Sequence, residues 1–143
     1  MSKLLAIDYG RKRIGLALSD EEERLALPYK VIENKGFNFT LVSLQKICKK
    51  ENVVRIIVGK PLSLKGKEGK QTKLTDEFIS KLKERVKIPI ISYDERMTSK
   101  LAGRLIRKIK GKVAKDAIAA MVILQEYLDK HTNNTNAFGR ELR

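Results

Sequence analysis

Apolar residues in this chain are gathered into short, dense runs, and these limit the possible folds more than any other feature. Leu4-Leu5-Ala6-Ile7, Ile14-Gly15-Leu16-Ala17-Leu18 and Val53-Val54-Arg55-Ile56-Ile57-Val58 are each too brief for a helix and too apolar for a half-exposed strand. Such runs read as strands covered on both faces, which requires helices packed against a sheet. The first run stops at Asp8, Gly10-Arg11-Lys12-Arg13 turns, and the second run returns, so residues 3 to 19 read as a hairpin. The acidic stretch Asp20 to Glu23 is a solvated turn, and Leu25 to Glu33, carrying Pro28, supplies a third strand at a sheet edge.

The rest of the chain alternates helical and strand patterns. Leu41, Leu44, Ile47 and Cys48 recur at spacings of three and four between Asn38 and Glu51, with Asn38 or Thr40 available as N-cap. Gly59 ends the Val53 to Val58 strand, and a basic loop from Lys60 to Lys70 follows. Leu74, Phe78, Ile79, Leu82 and Val86 mark the next helix, and Ile88 to Tyr93 the last strand, which ends at Asp94-Glu95. Thr98 caps a helix carrying Leu101, Leu105, Ile106 and Ile109, Gly111 breaks it, and a final helix runs from Val113 to Asp129 with Asp116 in its first turn. Three strands, helix, strand, helix, strand and two helices describe an α/β fold whose mixed sheet is antiparallel first and joined by crossovers later. One domain over residues 1–130 accounts for the pattern, and residues 131–143 form a polar tail.

Charge narrows the choice of partner. Among 143 residues, 31 Lys and Arg stand against 17 Asp and Glu, a net charge of +14 that favours polyanions, nucleic acid above all. A heat-adapted surface is the bland alternative, but such surfaces add Glu together with Lys. The single cysteine, Cys48, cannot form an internal disulfide, and no group of Cys and His has zinc-ligand spacing. No apolar run reaches the roughly 18 residues of a membrane span, so the expectation is a cytoplasmic protein with no membrane partner.

Acidic residues fall at suggestive places in this basic chain. Asp8 ends the first strand, Asp94 and Glu95 end the last, and Asp116 opens the final helix. Ligands of open α/β sheets collect at strand carboxyl ends, and dehydrated carboxylates there are naturally balanced by a divalent cation. An acidic pocket within a cationic surface suits metal-dependent phosphodiester cleavage. Each acid also has a plain explanation: Asp8 as a turn residue, Asp116 as a partner of the helix dipole, Glu95 as a surface partner of Arg96. Alternation along the strand leaves open which of Asp94 and Glu95 turns inward.

Four motifs in order carry a further signal. They are Ala6-Ile7-Asp8-Tyr9-Gly10 with Arg13-Ile14-Gly15-Leu16-Ala17, then Val58-Gly59-Lys60-Pro61-Leu62 with Gly66 and Gly69-Lys70-Gln71. Tyr93-Asp94-Glu95-Arg96-Met97-Thr98 and Lys115-Asp116-Ala117-Ile118-Ala119-Ala120 with Ile123-Leu124-Gln125-Glu126-Tyr127-Leu128 complete the set. From Leu4 to about Leu128 the chain resembles the YqgF (RuvX) family, which is related to the Holliday junction resolvase RuvC and whose members carry the name pre-16S rRNA nuclease. The resemblance implies an RNase H-like, five-stranded mixed sheet flanked by helices. It also implies Asp8, Glu95 and Asp116 as a catalytic triad that binds Mg²⁺ or Mn²⁺, as two ions. Arg96 and Thr98 would support the site, and cleavage would leave 5′-phosphate and 3′-hydroxyl ends. Two departures from the family pattern, Lys60 in place of an apolar residue and Lys65 in place of Asp, add positive charge. The loop from Lys108 to Lys115, shorter than is usual in the family, still brings four lysines towards Asp116. Cations of the first turn, the glycine loop, the acidic motif and the loop before Asp116 are the candidate nucleic-acid contacts: Arg11, Lys12, Arg13, Lys60, Lys65, Lys67, Lys70, Arg96, Lys112 and Lys115.

The expected activity is metal-dependent cleavage at the 5′ end of pre-16S rRNA, with structured RNA favoured over branched DNA as partner. Two alternatives are a Holliday junction resolvase and a non-catalytic nucleic-acid-binding module of ribosome assembly. A monomer and a homodimer are both open, since a junction enzyme needs two sites related by symmetry. The Asp8-Tyr9-Gly10 hairpin also resembles that of sugar-kinase and actin-like ATPases, but those bind nucleotide between two lobes, and 143 residues supply one.

Overall fold

In β1 (Lys3–Tyr9), Leu5 and Ile7 point to one side and Leu4 and Ala6 to the other, and all four are buried. That two-sided burial organises the whole structure, a computed structural model that describes residues 2–60, 69–94 and 112–132, with the side chains of 112–114 and 131–132 outside the description. β2 (Arg13–Ser19) and β3 (Ala26–Glu33) follow as antiparallel strands, then α1 (Phe37–Glu51), β4 (Val53–Lys60), α2 (Lys70–Arg85), β5 (Ile90–Asp94) and α3 (Lys112–Thr132). The five strands lie in the order β3-β2-β1-β4-β5, with β1, β4 and β5 mutually parallel. The expected mixed α/β sheet is therefore present. The expected helix from Thr98 to Ile109 and most of the basic loop, residues 61–68, lie outside the described residues.

Helices cover both faces. Leu41, Leu44 and Ile47 of α1 and Phe78, Ile79 and Leu82 of α2 pack on Leu5, Ile7, Ile14, Leu16 and Val58. On the other face Ala120, Ile123, Leu124, Tyr127 and Leu128 of α3 meet Leu4, Ala6, Ala17, Ile57 and Tyr93. Ala6 and Ala17 are cross-strand partners, as are Asp8 and Gly15, so the floor beneath α3 is made of small residues and the helix sits close to it.

Several boundaries differ from the sequence reading. α1 starts at Phe37 after Gly36, whose φ of 106° suits glycine, and it has no side-chain cap. Asn38 lies inside the first turn and Thr40 is buried, so neither is the N-cap; Asn34 accepts the Gly36 N–H at 3.1 Å instead. β3 starts at Ala26. β5 starts at Ile90, because Pro89 has no N–H for the ladder, although its carbonyl accepts from Ile56 at 3.0 Å. α2 begins at Lys70, ahead of its first apolar residue, since Thr72 and Thr75 of its first turns are buried. α3 begins at Lys112 and ends at Thr132, so Asp116 lies one turn inside it and the helix enters the segment read as a tail. Among the described residues no helix is long and apolar enough to cross a membrane.

Candidate active site

The parallel strands β1, β4 and β5 all run towards the same edge of the sheet, and their last residues gather the polar side chains. Asp8, second to last in β1, follows Leu4 and Ala6 on the face covered by α3. Opposite it stands Gly15, and a Cβ there would collide with the carbonyl oxygen of Asp116. The backbone of α3 therefore rests directly on β2 at this point, which brings Asp116 beside Asp8. Since α3 begins a full turn earlier, the helix dipole does not explain Asp116, because that effect fades within the first turn.

Electrostatics records the proximity. Burial, aided by the negative charge of Asp116, raises the pKa of Asp8 from 3.8 to about 6. Arg13, the first residue of β2, donates from Nε to Oδ2 of Asp116 at 2.7 Å. Among the described residues no third acid, histidine or cysteine joins this pair in a metal-binding group. Glu95 lies outside the described residues.

The turn bearing the site is braced from both sides. The Asn34 side chain donates to the Gly10 carbonyl at 2.8 Å, and its backbone N–H donates to the Lys12 carbonyl at 2.9 Å. Gly10 has no room for a side chain, because a Cβ would meet the Arg13 carbonyl. From the α2 side, Gln71 donates from Nε2 to the Tyr9 carbonyl at 3.0 Å, while the Tyr9 ring stacks on Phe78 with centroids 4.2 Å apart. Asn34, Gln71 and the seat at Gly15 are the supporting residues that sequence reasoning missed as such. Small residues facing Asp8 and Ala6 along β2, and Ala117 and Ala120 in the last helix, were the available signals for the close helix.

Among the expected phosphate contacts, Arg11 and Lys12 are exposed and with Arg13 line a groove of about 570 Å³ completed by Val31, Ile32, Glu33 and Asn34. Lys70 is exposed at the start of α2 and Lys115 half-buried beside Asp116. Lys60 pairs with Asp76 of α2 at 3.2 Å. Lys112 opens α3, its side chain outside the description, and Lys65, Lys67 and Arg96 lie outside the described residues. Asp94 sits opposite Lys60 in register and shares its strand face with Ile90, which packs towards α1 and α2; it is therefore on the other side of the sheet from Asp8. A second cavity of similar size, about 580 Å³, opens at the far end of the sheet around Asp20, Glu21, Glu22 and Glu51. Three of its acids are engaged locally: Glu51 pairs with Lys3 at 3.1 Å, Glu22 with Arg24 at 3.7 Å, and Asp20 accepts from the Arg24 N–H at 2.8 Å.

A mixed five-stranded sheet, with an acid at the end of its first strand and another on the helix crossing that strand, defines an RNase H-like fold of the resolvase type. Thermus thermophilus RuvC, solved in complex with a Holliday junction substrate, superposes with a TM-score of 0.61 at 10% identity, over 93% of this chain and 97% of that one. The fowlpox virus resolvase, solved with Holliday junction DNA, gives 0.56 at 13% identity over 90% and 97%. These likenesses concern the fold. The chain belongs to the RuvX family, whose model, described as Holliday junction resolvase, matches residues 2–130. A Chloroflexus aurantiacus protein named "Putative pre-16S rRNA nuclease" is 34% identical over 138 residues, 93% of this chain and 90% of its own length. One of the same name from a Sulfurihydrogenibium species is 40% identical over 135 residues, 91% and 92%. Membership places the chain in a family of nucleases, hydrolases that act on nucleic acid.

Proposed function

We propose that this protein is a metal-dependent nuclease that hydrolyses phosphodiester bonds at the 5′ end of pre-16S rRNA. One observation carries the reading: two carboxylates from opposite ends of the chain are seated together at the carboxyl end of the sheet, beside a cationic hairpin. The names of the relatives supply the substrate. Paired, partly buried carboxylate oxygens are a hard donor set, and one already holding its proton more tightly than usual gains from a cation; this suits Mg²⁺ or Mn²⁺. Asp8 and Asp116 would hold the ions, with Glu95 as third ligand, since Asp94 lies on the opposite sheet face.

When bound, two such ions supply a nucleophilic water at neutral pH and stabilise the leaving oxygen. The chain supplies the positioning. Gly15 lets the backbone of α3 fix Asp116 relative to Asp8, while Asn34 and Gln71 hold the turn that follows Asp8. Arg11 and Lys12 take the phosphate backbone along the groove, with Lys70 and Lys115 as further contacts, and Lys60, Lys65, Lys67, Arg96 and Lys112 are proposed contacts from their place in the sequence alone. Backbone contact is favoured over base stacking, since the chain has only four Tyr and four Phe and no Trp.

A second reading, cleavage of four-way DNA junctions, is favoured by the description of the family and would require a homodimer. Incubation with pre-16S rRNA fragments and with four-way junctions, in Mn²⁺ and in EDTA, separates the two. RNA cleavage that needs Mn²⁺ and is lost in Asp8→Asn and Asp116→Asn, with binding retained, is the expected result. Equal behaviour of wild type and both variants would leave a binding module in its place.

A further inference from the structure

The ion pair between Arg13 and Asp116 occupies a ligand of the proposed metal site. The hairpin does not depend on the Arg13 side chain: its turn is held by Asn34, and Arg13 is kept in register by its backbone partner Glu33. What the guanidinium does is neutralise Asp116, through Nε at 2.7 Å. The pair lies on the rim of the site, with side chains 34% and 28% accessible, and Arg13 also lines the groove of Arg11, Lys12 and Asn34.

We propose that Arg13 is an exchange cation: it holds Asp116 in the ion-free protein, and divalent-ion loading releases it into the adjoining groove, where it takes a phosphate of the bound strand. This rests on the metal-dependent reading above. A guanidinium cannot relieve its repulsion from an arriving dication by giving up a proton, so the relief open to it is to move away. The groove beside it is open and already cationic, and a fork of N–H donors matches a phosphate as well as it matches a carboxylate. The ion and Arg13 therefore compete for Asp116, and ion loading raises affinity for nucleic acid through the freed side chain.

Competition and support make opposite predictions. Were Arg13 merely orienting Asp116 for the metal, its removal would weaken metal binding; as a competitor, its removal strengthens it. Calorimetric titration of Mn²⁺ without nucleic acid, with Asp8→Asn to define binding at this site, is expected to show roughly three- to tenfold tighter binding by Arg13→Gln than by wild type. In wild type, the hydrogen-bonded Nε–H signal of Arg13, followed by ¹⁵N NMR, is expected to shift as Mg²⁺ saturates the site; this decides the matter even if the variant folds poorly. Equal or weaker Mn²⁺ binding by Arg13→Gln, or an unmoved Arg13 signal at saturation, overturns the exchange role and leaves the nuclease reading standing. Absence of any Mn²⁺ uptake dependent on Asp8 in wild type overturns both.

Discussion

Replacing Asp8 by Asn is expected to stabilise the ion-free protein at neutral pH, although it removes a proposed catalytic group. The folded chain holds the Asp8 proton up to about pH 6, whereas an unhindered aspartate loses it near 3.8. Between those values the unfolded chain has given up its proton and the folded chain has not. Folding stability is therefore unaffected below 3.8, falls as pH rises through the interval, and stays reduced above about 6. The interval corresponds to ~3 kcal/mol at most, and an uncharged side chain of the same shape removes that loss while keeping a desolvation cost of its own. A gain of about 1–2 kcal/mol remains, or roughly 3–6 °C in Tm for a chain of this size. Thermal and urea unfolding in EDTA should give similar stabilities for the two proteins near about pH 4 and separate them near about pH 7.5, with Asp8→Asn the more stable. Saturating Mn²⁺ should then close or invert the gap, because only wild type gains from the ion. An Asn variant less stable than wild type at neutral pH in EDTA, or equally stabilised at acid pH, would refute this account of the Asp8 environment.

Three further outcomes follow from the geometry. Gly15→Ala places a Cβ against the Asp116 carbonyl, so α3 must lift; urea unfolding should show a loss of about 1–3 kcal/mol, and Mn²⁺ titration a weaker site. Arg11→Gln with Lys12→Gln should reduce the slope of log affinity for RNA against log salt by roughly 1.4–1.8, measured by anisotropy, and an unchanged slope would remove the hairpin from the interface. Gln71→Ala removes the donor to the Tyr9 carbonyl and should cost about 1 kcal/mol in urea unfolding, with a larger relative loss of cleavage rate than of RNA affinity.

How much of this was legible in the sequence depended on whether the determining contact was local. Leu4 to Asp8 and Val53 to Val58 announced buried strands because burial on both faces leaves a dense apolar run, and both lie where expected. The paired acids were half legible: their places at a strand end and a helix start gave Asp8 and Asp116, and the family motifs agreed, but nothing near either residue encodes their meeting. It depends on Gly15, whose lack of a side chain matters only once a helix from the far end of the chain lies over it. Arg13 was read as a phosphate contact because it belongs to a basic turn; its partner is 103 residues away, beyond any periodicity. The N-cap at Asn38 or Thr40 failed for a related reason, since a glycine at positive φ served there and the polar side chain that helped, Asn34, came before the turn.

The seat of α3 on β2 has one more consequence. Main chain touching main chain offers no rotamers, so the gap between the two carboxylate-bearing elements has no intermediate widths available through side-chain motion. It changes only if the helix shifts as a body, and Ala117, Ala120 and Leu124, all buried on its underside, resist that together. The centre therefore behaves as a fixed-width jaw, whereas Arg11 and Lys12 beside it are exposed side chains whose replacement would leave the jaw itself undisturbed.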